Sequence, residues 1–207
     1  VNSGVTPSTV WVGNFKLGKI SGYKWEDING DGIRDQDEPV LKDWEITLTK
    51  GSSKMTTRTD ENGYYEFTGL TAGTYIVNEV LQSGWVQTYP ATSDTNAVQI
   101  TSGSIVNDKD FGNFKLVTIT ADKWNDLDGD GKKEDGEPEI MGWGLKITCP
   151  NGTTDTMDSP ASWLVEKGDY IITEELQDGW VQTTASSKIV KVGQSNVIPP
   201  TVWFGNF

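Results

Sequence analysis

The 207-residue chain contains no histidine and one cysteine, Cys149. Without histidine there is no Ser/His/Asp triad, no Cys/His dyad and no structural zinc cluster, and without a second cysteine no disulfide forms within the chain. Cys149 reads as a small residue on a strand, and cysteine usage leaves the redox compartment open. Basic residues are scarce as well, 17 Lys and Arg against 30 Asp and Glu, for a formal net charge of −13. That balance argues against nucleic acid and anionic membrane as partners and for divalent cations. No apolar run approaches the ~18 residues of a membrane span, and residues 1–20 lack the charged start and apolar core of a signal peptide. Any such segments are expected in a longer precursor. What is present is 35% apolar residues with nine Trp, enough for packed cores in a chain long enough for two domains.

The acidic residues are patterned. From Asp27 to Glu38 the chain reads Asp-Ile-Asn-Gly-Asp-Gly-Ile-Arg-Asp-Gln-Asp-Glu, with side-chain oxygens at positions one, three, five, nine and twelve of a twelve-residue calcium loop. Asp27, Asn29, Asp31 and Asp35 are candidate ligands, Ile33 contributes its carbonyl at position seven, and Glu38 closes the site. Gly32 occupies position six, where the turn is sharpest. The pattern returns at Asp126, Asp128, Asp130, Gly131, Lys132 (carbonyl), Glu134 and Glu137. The plain alternative is a pair of acidic surface turns that bind nothing, and two copies in one register weigh against it. Position eight is Arg34 or Lys133 rather than apolar, and the flanking segments alternate like strands, so these are not helix-loop-helix hands. Each loop is expected to stitch two strands together. Weak loops of this kind fill where calcium is millimolar, outside cells.

The loops belong to a longer internal repeat. Lys24-Trp25 matches Lys123-Trp124, Trp44 to Leu48 matches Trp143 to Ile147, and Tyr75 to Trp85 (YIVNEVLQSGW) matches Tyr170 to Trp180 (YIITEELQDGW). Each unit ends in Gly-Asn-Phe, at Gly112 to Phe114 and Gly205 to Phe207, and Thr9 to Phe15 (TVWVGNF) resembles Thr201 to Phe207 (TVWFGNF). The division that follows is residues 1–14 as the last strand of a preceding repeat, residues 15–114 as repeat 1 and residues 115–207 as repeat 2. Donor-strand polymerisation through the spare strand is the livelier alternative, but neither repeat lacks its own closing strand. Turn residues punctuate short strands, and no 3.6-residue period appears. The expected fold is all-β, two tandem Ig-like or prealbumin-like β-sandwich domains. In repeat 1 the strands are expected near residues 17–26, 43–49, 54–59, 64–67, 74–81, 85–88, 96–101 and 107–114. Asp60-Glu-Asn-Gly63 is expected to make a type I′ hairpin turn. Repeat 2 has Met157 to Trp163 in its place. The segment joining the repeats, Asn113 to Thr118, has no Gly, Pro or Ser and reads as a stiff junction.

These residues carry a resemblance. The chain is similar to tandem B-type repeats of microbial surface proteins, the Sdr B-like and Cna B-type domains with a prealbumin-like sandwich. The motifs are Lys-Trp-x-Asp-x-Asn/Asp-Gly-Asp-Gly, Glu-Pro, Trp-x-Ile/Leu, the run from Tyr64 to Tyr75, and Phe-Gly-Asn-Phe, and they span nearly the whole chain. The resemblance implies an extracellular, cell-surface stalk that spaces a ligand-binding or anchoring region from the cell, stiffened by calcium or by Lys-Asn isopeptide bonds. Its implied partners are neighbouring repeats of the same polypeptide, then cell-wall or host surface ligands, with no nucleic acid and no membrane span in this segment.

Comparing the repeats face by face bears on the crosslink. Polar positions that vary between them should face water. Lys24 and Lys123 share the apolar parity of Ile20 and Ile119, Glu79 and Glu174 that of Val77 and Ile172, and Asn113 and Asn206 that of Phe111 and Phe204. Buried charges need partners. One reading is a buried Lys-Glu pair with an Asn hydrogen bond. The other is the Cna B-type autocatalytic crosslink, joining Lys24 to Asn113 and Lys123 to Asn206 with Glu79 and Glu174 as catalytic acids. On function, a stalk or surface-assembly module competes with a glycan- or protein-binding adhesive module displaying Trp85 and Trp180, and with a filament subunit. Packing of those Trp residues is the simpler reading, and no nucleophile-base pair marks an enzyme acting on an external substrate.

Overall fold

The computed structural model describes residues 9–91 and 96–207. The described residues form sixteen strands: β1 (Gly18–Glu26), β2 (Glu45–Lys50), β3 (Ser53–Arg58), β4 (Tyr64–Leu70), β5 (Gly73–Glu79), β6 (Trp85–Tyr89), β7 (Ala97–Ile100), β8 (Ile105–Val106), β9 (Phe111–Lys115), β10 (Val117–Asn125), β11 (Gly144–Thr148), β12 (Thr154–Asp158), β13 (Ala161–Val165), β14 (Gly168–Glu174), β15 (Ser187–Val192) and β16 (Val202–Asn206). The described residues contain no helix. They form two compact units, one of residues 9–23, 42–80 and 96–110, the other of residues 24–41, 81–91 and 111–207. This division by packing cuts across the sequence repeat, because the first acidic loop, β6 and β9 lie with residues of repeat 2.

In the first unit, β2 is central to an antiparallel sheet ordered β3-β2-β5-β7. Side-chain alternation along these strands puts Ile46, Leu48, Tyr75, Val77, Val98 and Ile100, all buried, on one face, while in β2 Thr47 on the opposite face is buried as well. The N-terminal part of β1 pairs antiparallel with β4 and parallel with β8, burying Ile20, Tyr65, Phe67 and Leu70. Gly18 of β1 lies against Ile100 of β7, where a β-carbon would come within 2.7 Å of Ile100 Cγ2.

The second unit repeats this plan with sheets ordered β13-β10-β16 and β12-β11-β14-β15. β10 pairs antiparallel with β13 and parallel with β16. Their buried residues, among them Ile119, Leu145, Ile147, Trp163, Ile172 and Phe204, form one apolar cluster that also includes Phe114 from β9 and packs against Val86 from β6. The end of β1, Lys24 to Glu26, pairs parallel with β9, and β9 pairs antiparallel with β6. Leu116 alone separates β9 from β10.

The turn at Asp60–Gly63 differs from the type I′ hairpin expected of Asn-Gly. β3 and β4 are not paired and enter different sheets. Gly63 has φ +70°, but Asn62 is not among the residues of positive φ, so the turn is of type I with the left-handed residue last. The sheet change is fixed by Thr59, whose hydroxyl accepts the Trp44 N–H at 2.9 Å while its own N–H donates to the Trp44 carbonyl at 3.0 Å. Ser159 plays the same part in the second unit, with its hydroxyl 3.1 Å from Trp143 N and its N–H 2.9 Å from Trp143 O. Residues 9–17 lie outside any strand, with Val10, Trp11 and Val12 exposed. The rest of the expected strand of residues 1–14 lies outside the described residues.

Candidate metal loops and a buried lysine cluster

Both acidic loops are closed at the neck by antiparallel backbone pairing. Glu26 N–H donates to Pro39 O at 2.8 Å and Leu41 N–H to Lys24 O at 2.9 Å. In the second loop Asn125 N–H donates to Pro138 O and Ile140 N–H to Lys123 O, both at 2.9 Å. Inside the neck the carboxylates at positions one and twelve gather backbone N–H groups. Asp27 accepts from Asp31 at 3.1 Å and Gly32 at 2.7 Å, and Asp126 from Gly129 at 2.7 Å and Gly131 at 2.8 Å. Glu38 accepts from Ile28 at 2.8 Å and Asp35 at 3.1 Å, and Glu137 from Leu127 and Glu134, both at 2.9 Å.

Asp27 and Asp126 are fully buried at the loop roots. The Thr183 hydroxyl, helped by the N–H groups of Gly131 and Gly129, holds the Asp126 carboxyl below its usual range despite burial. Burial pushes Glu38 upward, and the nearby Asp27 charge adds to that, against the N–H groups that Glu38 accepts. The position-six glycines are needed for two reasons. Gly32 and Gly131 have φ +76° and +78°, and a β-carbon would stand 3.2 Å from Thr88 O and 2.8 Å from Thr183 O respectively.

Carboxylate oxygens of Asp126, Asp128 and Asp130 lie within 4.8 Å of one another. Glu134 and Glu137 stand outside that triplet. In the first loop Asn29 Nδ2 donates to Asp35 at 3.0 Å, and Asn29 Oδ1 accepts the Asp31 N–H at 2.9 Å. Asp31 in turn accepts the Ile33 N–H at 2.8 Å. Oxygen-only donors of this kind suit calcium rather than a softer metal. The loops differ at position seven. Ile33 is apolar, whereas Lys132 turns its ammonium back to within 2.7 Å of Asp130 Oδ2, which holds that carboxyl low. The twelve-residue spacing accounts for Lys132 only through its carbonyl. It does not reach Thr88 and Thr183, although the recurrence of Trp-Val-Gln-Thr at 85–88 and 180–183 marks them.

The second polar group is a lysine inside the core. In the second unit Lys123 Nζ lies 2.7 Å from Glu174 Oε2, both side chains being buried, and 4.7 Å from the centre of the Trp143 ring. Burial lowers the Lys123 pKa, and Glu174 opposes that shift. Lys123 sits opposite Phe204 across the parallel β10–β16 pair, so Asn206, two residues on, shares its face. Asn206 is fully buried, and neither of its side-chain polar atoms has a hydrogen-bond partner among the described residues. The equivalent Lys24 and Asn113 are also fully buried on adjacent strands β1 and β9, Lys24 donating to Phe111 O at 3.3 Å. Glu79, in the first unit, is half-buried opposite Ile46. Trp180 packs edge-on to Trp143, with ring centres 5.4 Å apart, as part of the second core.

Residues 18–122 match the model of the SdrD B-like domain, half of the chain. The chain belongs to the SdrD B-like family. It is 32% identical over 188 residues to serine-aspartate repeat-containing protein F of Staphylococcus epidermidis, an alignment covering 81% of this chain and 11% of that protein. It is 31% identical over 201 residues to serine-aspartate repeat-containing protein C of Staphylococcus aureus, covering 87% and 21% respectively. The SdrD B-like chain thus spans a minor part of the length of these relatives. Among solved structures it is similar to a streptococcal ancillary pilin, at 18% identity and TM-score 0.42 over 92% of this chain and 62% of that one. It is also similar to BcpA, the major pilin subunit of Bacillus cereus, at 13% identity and TM-score 0.37 over 92% and 99%. The SdrD B-like chain is an extracellular repeat module of the cell surface.

Proposed function

We propose that the chain is a calcium-binding structural stalk in which residues 15–114 and 115–207 are tandem β-sandwich domains that space other regions from a cell surface, without turnover of an external substrate. The observation that carries this reading is the acidic loop built twice to one plan. In each, a buried root aspartate and a closing glutamate tie down the backbone N–H groups. In the second, three carboxylates converge. Asp27, Asn29, Asp31, the Ile33 carbonyl, Asp35 and Glu38 would hold one ion, and Asp126, Asp128, Asp130, the Lys132 carbonyl, Glu134 and Glu137 another. The ion would neutralise carboxylates that otherwise repel one another. Calcium at about tenfold its dissociation constant stabilises a fold by roughly 1.4 kcal/mol per site. Calorimetric titration of chelator-stripped protein tests this, and no calcium uptake refutes it.

The Lys123 cluster supports a covalent brace. A buried amide with no partner costs about 1–3 kcal/mol, which is reason to look for chemistry at Asn206. Neutral Lys123 Nζ attacks Asn206 Cγ while protonated Glu174 polarises the amide carbonyl. The C–Nδ2 bond breaks, and the proton shed by Nζ passes through the carboxyl to the departing nitrogen. One isopeptide bond forms and one ammonia leaves. The same assignment of Lys24, Asn113 and Glu79 rests on sequence parity between the repeats. Intact mass under denaturing conditions counts the bonds, since each removes one ammonia. Glu174→Ala should restore the second. A full uncrosslinked mass for folded wild-type protein leaves a plain buried ion pair.

A further inference from the structure

In the second unit the first acidic loop is capped. The Lys167 stem lies on Gly30, where a β-carbon would come within 3.1 Å of Lys167 Cδ and 3.2 Å of Phe114 Cδ2. Ser195 N–H donates to Ile28 O at 2.9 Å, and its hydroxyl donates to Glu26 Oε1 at 2.8 Å. The turn before β14 and the segment after β15 thus close over a face made by Gly30, Ile28, Val86, Thr88 and Phe114. Phe114 is left only 1% exposed, inside the apolar cluster that β10 and β11 build.

The same face exists a second time without its cap. Gly129, Leu127, Val181, Thr183 and Phe207 occupy the equivalent positions, by the loop register and by the Trp-Val-Gln-Thr and Gly-Asn-Phe repeats. A β-carbon on Gly129 would find its nearest neighbours in the Phe207 side chain, at 3.6 Å. Leu127 is 57% exposed and Val181 66%, two apolar side chains beside an acidic loop.

We propose that this face is a docking surface for a further repeat of the second type, which would cap it with the residues equivalent to Lys167 and Ser195. The inference rests on the stalk reading and names the partner of its open face. The chemistry fits. A lysine stem covers a glycine of an acidic loop, a backbone N–H meets the Leu127 carbonyl as Ser195 N–H meets that of Ile28, and Asn125 offers an amide oxygen where Glu26 offers a carboxylate. Phe207 would enter the partner's core as Phe114 enters that of repeat 2. Repeat 1 is a poorer cap, because Ala72 stands at the Lys167 position and Gly103 at the Ser195 position by the registers of β5 with β7 and β14 with β15.

The test appends a second copy of residues 115–207 after Phe207 and follows hydrogen exchange. Amides 127–131 and 181–183 should slow about tenfold or more, toward the rates of 28–32 and 86–88, and Val181→Asp should reverse the change. A parallel graft of residues 15–114 should protect them less. Unchanged exchange at both segments with either graft, or equal protection by both, overturns the proposal. Protection of the β14 equivalent in the added copy shows in the same spectra that it has folded. Should it not fold, the second graft still decides, since protection by it at the level of the 28–32 segment contradicts the role of Lys167 and Ser195. Calcium uptake measured on the unextended chain separates failure of this inference from failure of the stalk reading.

Discussion

Gly131→Ala isolates what seats the second loop. Its φ of +78° is left-handed, and its β-carbon would stand 2.8 Å from Thr183 O, a backbone atom that cannot swing aside. Gly142 has nearly the same φ, +73°, with nothing within 4 Å of the added carbon. The left-handed backbone costs an alanine about 1–2 kcal/mol, offset by up to ~1 kcal/mol because alanine also restricts the unfolded chain. Gly142→Ala should therefore cost about 1 kcal/mol. Gly131→Ala adds the clash, whose relief by backbone shift is worth about 1–3 kcal/mol, for a total of roughly 2–4 kcal/mol. Gly32→Ala, facing Thr88 O at 3.2 Å, should fall between. Urea titrations followed by Trp fluorescence in chelator keep calcium mass action out of the comparison. The shift also moves the Gly131 N–H away from Asp126, so calcorimetric uptake at the second loop should fall while the first is unaffected. Equal destabilisation by Gly131→Ala and Gly142→Ala, to within about 0.5 kcal/mol, would refute the close-approach argument.

Three further outcomes are expected. Lys132→Met removes the ammonium bound to Asp130 and should tighten calcium at the second loop about two- to fivefold by calorimetry; unchanged or weaker binding contradicts a competing latch. Burial lowers the pKa of Lys188, which donates to the Trp203 carbonyl. The unfolded chain therefore binds that proton more readily, and stability should rise with pH from the lowered folded value up to the ordinary lysine range. Lys188→Met should flatten this part of the profile in urea titrations between about pH 8 and 10, and an identical slope counts against it. Leu145→Ala, at a fully buried site in the second core, should cost about 2–5 kcal/mol by the same titration, and a loss under 1 kcal/mol would mean the core collapses around the gap.

The parts of the site legible in the sequence are those with a fixed local period. Loop positions one, five, six and twelve follow a twelve-residue spacing, and the burial of Lys24, Lys123, Asn113 and Asn206 follows from alternation along single strands. What stayed hidden depends on contacts between segments distant in sequence. Asn62-Gly63 is a good hairpin signal locally, but Thr59 bonds to Trp44 and turns the chain into another sheet. The Lys132 side chain was free to point anywhere until the loop placed Asp130 beside it. Ser195 lies 169 residues from Glu26, and no pattern within one repeat could join them.

The parallel pairing of β10 with β16 has a mechanical consequence. A pull toward the N-terminal side of β10 and the C-terminal side of β16 runs along both strands in opposite senses. Five residue pairs, Ala121 with Val202 through Asn125 with Asn206, then bear the load together in shear rather than opening one at a time. Under tension this strand pair behaves as a latch: without a Lys123–Asn206 bond the rate at which it slips, rather than the equilibrium stability of the fold, sets how long it withstands force, and with that bond the two strands cannot part.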